Sequence, residues 1–185
     1  MLTVEKLPVT VLETNCYVTA CTKTNETIIV DPGEYTDRIA EIVSENGLKV
    51  RYIFITHDHF DHTGGLGEVK RRFGGEVLSG RNTVGGRVVD EGDLVPLGVF
   101  QGKVLSTPGH TSDSLSLAIG DHVFVGDAVS AGAVGGTASR AQHELLVASI
   151  RDKIFPLGDH VRIYTGHGPC TTVGIERVFN PFFHK

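Results

Sequence analysis

The sequence has no tryptophan, one methionine and only three cysteines, Cys16, Cys21 and Cys170, among its 185 residues. Three cysteines make no disulfide framework. They read as small free thiols, with Cys170 expected to be buried and inert. No run of about 18 apolar residues occurs, so no helical membrane span is expected. Positive charge is also scarce: 17 Lys+Arg against 22 Asp+Glu leave a net charge of -5. That gives no overall basic field for a nucleic acid held by phosphate contacts, so no nucleic-acid partner is expected. The N-terminal stretch "MLTVEKLPVTVLETN" carries acidic residues where a signal peptide would be apolar, so a cytoplasmic location is expected. No linker or low-complexity tract interrupts the chain. With 40% hydrophobic and 21% charged residues, residues 1–185 are expected to form one globular domain.

What is present is histidine, nine in all, and five of them recur at one kind of position. The β-rich stretches "LTVEKLPVTV", "NCYVTACT" and "TIIVDPG" are broken by polar or Gly/Pro turns and predict strands. "EYTDRIAEIVSENG" switches to helical spacing, with Ile39, Ile42 and Val43 on one face and Asn46-Gly47 as a stop. "VRYIFIT" suits a central strand. "HTGGLGEVKRRFGG" predicts a short helix, and "SLSLAIGDHVFVGD" a hairpin turning at Gly120-Asp121. Residues 127–140 are small and read as an ordered loop without core residues. "QHELLVASIRDKIF" predicts a helix along Leu146, Ile150 and Ile154. "HVRIYTGHG" is a last strand, and "TTVGIERVFNPFF" a terminal helix and tail. The order of elements gives two loosely mirrored halves, and with them an α+β fold of two mixed β-sheets packed face to face with helices outside.

Each metal-capable side chain falls just after a predicted strand. His57, His59, Asp61 and His62 come after "YIFI", His110 after "KVLSTPG", Asp127 after "HVFVG" and His167 after "RIYTG". Strand ends along one sheet edge converge, and the loops there build sites. Seven N/O ligands with no thiolate among them suit two borderline metal ions. His57 and His59, two apart in an extended turn, point to one side and with His110 form a three-histidine group. Asp61 and His62 with His167 form a second group, and the two oxygens of Asp127 bridge them. Two ions so placed lower the pKa of a shared water toward about 7. Without a metal, burying so many polar groups costs on the order of several kcal/mol. His122, His143, His160 and His184 read instead as surface or satisfied histidines.

The strings "THDHFDH", "TPGHT", "GD" at 126–127 and "GHG" at 166–168, in this order, resemble the metallo-β-lactamase superfamily. The resemblance spans nearly the whole chain and implies a four-layer αβ/βα sandwich with metals at one edge of the sheets. It implies the same ligand grouping: His57, His59 and His110 on one ion, Asp61, His62 and His167 on the other, Asp127 bridging. Within the superfamily the chain is similar to small hydroxyacylglutathione hydrolases of the glyoxalase II type. The similarity lies in "NCY" at 15–17, "IIVDPG" at 28–33 and a C-terminus that fits the pattern GHGP-x-T-T-x-G-x-E-x-x-x-N-P-F from Gly166 to Phe182. It departs after Asp127, where "AVSAGAVGGT" replaces the family's bulkier, arginine-bearing stretch.

The activity expected is hydrolysis of a small-molecule thioester of the hydroxyacylglutathione kind, by a hydroxide bridging two divalent ions, zinc or alternatively iron or manganese. Asp61 is expected both to ligate and to orient the nucleophile. A thiolate leaves without protonation, so no strong general acid is required. Alternatives on the same scaffold are a persulfide dioxygenase, with one iron on the positions corresponding to His57, His110 and Asp127, and a lactamase or lactonase. Asp31 reads equally as a turn residue before Pro32-Gly33 or as a carboxylate fixing a ligand histidine. Tyr164 reads more as core than as a substrate contact.

Overall fold

The computed structural model describes residues 1–9, 12–81 and 85–184; residues 10 and 11 of the first expected strand lie outside them. Along the chain run β1 (Leu2–Pro8), β2 (Asn15–Cys21), β3 (Glu26–Val30), α1 (Asp37–Glu45), β4 (Lys49–Phe54), α2 (Phe60–Thr63), α3 (Leu66–Phe73), β5 (Glu76–Ser79) and β6 (Arg87–Val88). Next come β7 (Leu94–Leu97), β8 (Phe100–Ser106), β9 (Leu115–Ile119), β10 (His122–Gly126), β11 (Val129–Ser130), β12 (Ala133–Val134), α4 (Arg140–Ser149), β13 (Arg162–Thr165), β14 (Thr171–Thr172) and α5 (Val173–Phe179). One sheet has the order β1-β2-β3-β4-β5-β6 and the other β14-β13-β10-β9-β8-β7.

Both sheets are mixed, for the same reason. In each, an antiparallel pair is succeeded by a helical crossover to a parallel neighbour: β2 and β3, then α1 and β4; β9 and β10, then α4 and β13. Alternation splits each strand between two cores. Ile28 and Phe54 face inward, where Tyr17 and Leu78 meet Val104, Leu117, Phe124 and Tyr164 of the other sheet. Ile29, Ile53 and Val77 face outward against Ile39 and Ile42 of α1 and Leu66 and Val69 of α3. On the far side Val123 and Ile163 pack on Leu146, Ile150, Ile154 and Val173. Burial on both faces is why "YIFI" and "HVFV" read as unbroken apolar runs. Each such side chain contributes roughly 1.5–3 kcal/mol.

Three expectations change. The glycine pair Gly64–Gly65 divides the helix expected after His62 into α2 and α3, and α2 begins at Phe60. Residues 127–140 are not a loop free of core: β11 pairs with β12, and Ala128 and Val129 are buried under α4. Cys170 is exposed, with its sulfur 3.8 Å from the Tyr17 hydroxyl, because the turn after β13 faces outward. Tyr164 stacks on Phe124 and belongs to the core as expected. No helix among the described residues is long and apolar enough to cross a membrane.

The ends of β3, β4, β8, β10 and β13 lie at one edge. The sheets are stitched there by Leu115 N–H to the Thr56 carbonyl (2.8 Å), Asn15 N–H to the Gly166 carbonyl (2.7 Å) and the Tyr17 hydroxyl to the Thr165 carbonyl (2.6 Å).

Candidate metal centre

All seven side chains singled out in the sequence meet at this edge. His57, Asp61 and His62 are buried, His110, Asp127 and His167 half-buried, and His59 exposed. Three sets have ligand atoms within 4.8 Å of one another: His57, His59 and His110; Asp61, His62 and His167; and His57, His62 and Asp127. Asp127 lies between the groups. Its Oδ1 is 3.5 Å from His62 Nε2, and its Oδ2 is 3.5 Å from His167 Nε2 and 3.6 Å from His110 Nε2.

The rings are turned by what their far nitrogens bond. Asp31, at the end of β3, accepts from the Thr56 amide (2.8 Å), the Thr56 hydroxyl (2.7 Å) and His62 Nδ1–H (2.9 Å). The Thr56 hydroxyl is thus committed as a donor, so His57 Nδ1–H donates to its oxygen at 3.1 Å. One carboxylate thereby sets two rings, which gives Asp31 the reading of a carboxylate that fixes histidines of the cluster. Its φ of 49°, in a region few non-glycine residues adopt, is the backbone conformation that aims it inward. His110 Nδ1–H donates to the Gly136 carbonyl at 2.6 Å, and His167 Nδ1–H to the Leu12 carbonyl at 3.1 Å. Carbonyls only accept, so Nε2 of both rings is left facing the cluster. Thr14 donates its hydroxyl to Asp61 Oδ2 at 2.8 Å. Apart from Asp31, these outer partners are not singled out by the sequence. Thr56 stands beside the motif, but nothing in a sequence marks a carbonyl such as that of Gly136 or Leu12.

Space is as specific as direction. A Cβ on Gly166 would lie 2.0 Å from Asp127 Oδ1 and 2.8 Å from His62 Cε1, so only glycine lets β13 pass behind the cluster. Burial, with the neighbouring charge of His62, pushes His57 down to about 3 and keeps its imidazole neutral. His167 moves up to about 9, through its bond to Asp127 and the charge of Asp61. Burial pushes Asp127 upward, but His167, His62 and His57 outweigh it and hold the carboxyl at about 2. Burial likewise opposes the charged form of His62, yet Asp31, Asp127 and Asp61 raise it on balance.

The donor set fits divalent cations. His62 Nε2 and Asp127 Oδ1 are buried and make no hydrogen bond, although they lie 3.5 Å apart. When the rings are neutral, their Nε2 lone pairs and the oxygens of two carboxylates converge on the same space. In water-poor surroundings such atoms repel unless a cation lies between them.

The other histidines are satisfied elsewhere: His122 Nδ1 lies 2.8 Å from the Tyr164 hydroxyl and His160 Nε2 3.3 Å from Asp121, while His143 lies against Phe182 and His184 is exposed.

A family model of the metallo-β-lactamase superfamily matches residues 9–85. The hydroxyacylglutathione hydrolase GloC of Haemophilus influenzae is 30% identical over 209 residues, covering 98% of each chain. The crystal structure of the BLEG-1 B3 metallo-β-lactamase superposes with a TM-score of 0.87 at 29% identity, over 99% of this chain and 100% of that one. That of TTHA1623 in a di-iron-bound form gives 0.80 at 25% identity, over 96% and 99%.

Proposed function

We propose that this chain, which belongs to the metallo-β-lactamase superfamily, is a thioester hydrolase that acts on hydroxyacylglutathione-like substrates with two divalent ions, zinc, iron or manganese. The observation that carries this reading is the double ligand group spanned by Asp127, together with whole-length similarity to a hydroxyacylglutathione hydrolase. The di-iron form of TTHA1623 supports two ions rather than one.

His57, His59 and His110 would hold one ion and Asp61, His62 and His167 the second, with Asp127 contributing to both. Ions bound there would supply an acidified water and a Lewis acid for the acyl carbonyl. The protein's own work is positional. Asp31 and Thr56 keep His57 and His62 in the tautomer that presents Nε2. Asp61, tethered through Oδ2 by Thr14, would accept a hydrogen bond from the attacking water and so orient it. The departing thiolate is stable at neutral pH, so none of these residues has to donate a proton to it. In this reading residues 1–185 work as one domain in the cytoplasm on a small molecule, with neither nucleic acid nor membrane as partner.

The test is elemental analysis of protein purified without chelator, with thiol release from S-lactoylglutathione measured on the same sample. Two equivalents of metal with cleavage are expected. One iron, no cleavage and oxygen uptake with glutathione persulfide would overturn the reading in favour of a dioxygenase. Cleavage of a β-lactam or lactone alone would move the substrate class.

A further inference from the structure

Three buried polar residues of the C-terminal pattern, Thr171, Glu176 and Asn180, lie outside the metal cluster. Glu176 is 1% exposed and, with Val173, is one of the two buried residues of α5, whose Ile175, Val178 and Phe179 are exposed. A buried carboxylate is costly unless donors surround it. Here three do. The Thr171 hydroxyl donates to Oε1 at 2.7 Å. The Gly132 amide (3.0 Å) and Asn180 Nδ2 (2.8 Å) donate to Oε2. Asn180 Nδ2 also donates to the Ala133 carbonyl at 3.0 Å, and its own Oδ1 accepts from the Phe182 amide at 3.1 Å.

Two of these contacts grip neighbouring residues at the tip of the β11–β12 hairpin. A hairpin of two residue pairs does not hold itself. The chain leaving its second strand forms the wall of the cluster. Gly135 is seated so closely that a Cβ there would lie 1.9 Å from the Asp127 carbonyl oxygen and 3.2 Å from His110 Cβ. The next residue, Gly136, offers the carbonyl that His110 Nδ1–H bonds.

We propose that Glu176, with Asn180, is a positioning residue for His110: it pins the β11–β12 hairpin so that the Gly136 carbonyl turns the His110 ring with Nε2 toward the cluster. This rests on the proposed function only in taking His110 as a metal ligand; the turning of the ring is a property of the protein without metal. The Glu176 carboxylate touches neither substrate nor metal. It acts through the hairpin, and the carbonyl it places belongs to the backbone, where no side-chain substitution can reach it.

The test compares Glu176→Leu, Glu176→Gln, Asn180→Ala and Thr171→Val. Nitrogen NMR of metal-free protein reads the His110 tautomer, chelator competition reads affinity for zinc, and urea titration reads stability. Wild type should show His110 protonated at Nδ1 only. Glu176→Leu and Asn180→Ala should give mixed tautomers and weaken one of two zinc ions by about 10–100-fold. Glu176→Gln should restore both readouts, because its amide can donate to the rotatable Thr171 hydroxyl while its oxygen accepts from Gly132 and Asn180. Thr171→Val removes the donor that faces away from the hairpin. It should lower urea resistance and leave tautomer and affinity as in wild type. If Glu176→Leu proves too unstable, Asn180→Ala against Thr171→Val carries the same comparison. An unchanged tautomer in Asn180→Ala, or losses in all variants that track urea resistance, would overturn the proposal. Wild type that binds none of zinc, iron and manganese, beside variants that still show the tautomer changes, would overturn the proposed function and leave the positioning role standing.

Discussion

The two sheets contribute to the cluster in opposite ways. The first supplies four metal-capable side chains from one loop, His57, His59, Asp61 and His62, and braces two of the rings with side chains, Asp31 and Thr56. The second supplies His110, Asp127 and His167 from three loops, and its histidines are braced by carbonyls, those of Gly136 and Leu12. Burial follows the bracing: His57 and His62, braced by side chains, are sealed, His110 and His167, braced by carbonyls, are half open, and His59 is exposed. A single loop braced by side chains is a rigid base. Three loops braced by backbone depend on the segments that carry those carbonyls. The first arrangement holds the cluster in place; the second allows its open side to vary.

Substitutions can break this comparison. The largest effect is expected at Asp127, which belongs to both arrangements. Asp127→Ala should reduce metal content below two equivalents and lower thioester kcat/KM by more than the roughly 10–100-fold typical of an outer partner. Residual two-metal content by elemental analysis would show that the halves do not need a shared carboxylate. Gly166→Ala comes next. Its Cβ must displace Asp127 or His62, so metal content and thermal stability should fall together. Asp31→Ala should weaken metal binding by about 10–100-fold in chelator competition. It should also cost about 1–3 kcal/mol in urea unfolding, because it strands the buried Thr56 amide.

Two smaller effects sharpen the contrast from outside the cluster. Ile39→Ala, in the outer core of the first sheet, should cost about 2–5 kcal/mol of stability without altering metal stoichiometry. Tyr164→Phe loses the bond to His122 and should cost roughly 1 kcal/mol, with unchanged KM for the thioester. A raised KM would return Tyr164 to the substrate pocket.

The same asymmetry governs what can be seen in the sequence. Apolar runs bounded by turns gave away the strands, and a ligand after each strand gave away the edge where they meet, because both are carried by side-chain type and spacing. Asp31 was visible as a carboxylate at a strand end, though its role stayed divided until His62 Nδ1 was found beside it. The brace of His110 was not visible, since every residue has a carbonyl and only the folded path of residues 129–136 selects one. The small residues of that stretch hid their structure for a related reason: alanine and glycine show no period, yet Ala128 and Val129 are buried and the hairpin is held from outside by Glu176. Cys170 was misplaced because a strand that ends in a turn exposes the residue beyond it.

The stitching of the rim, Asn15 to Thr165 among its contacts, joins residues 150 positions apart in the chain. On a ribosome adding roughly 5–20 residues per second, the N-terminal hairpin emerges about ten to thirty seconds before its partner at the rim has been made. The first sheet can pair its own strands in that interval, but the loop holding Asp61 has no His167 to meet. Assembly of the metal-capable edge is therefore a late event in the birth of the molecule, timed by translation rather than by the quick pairing of neighbouring strands.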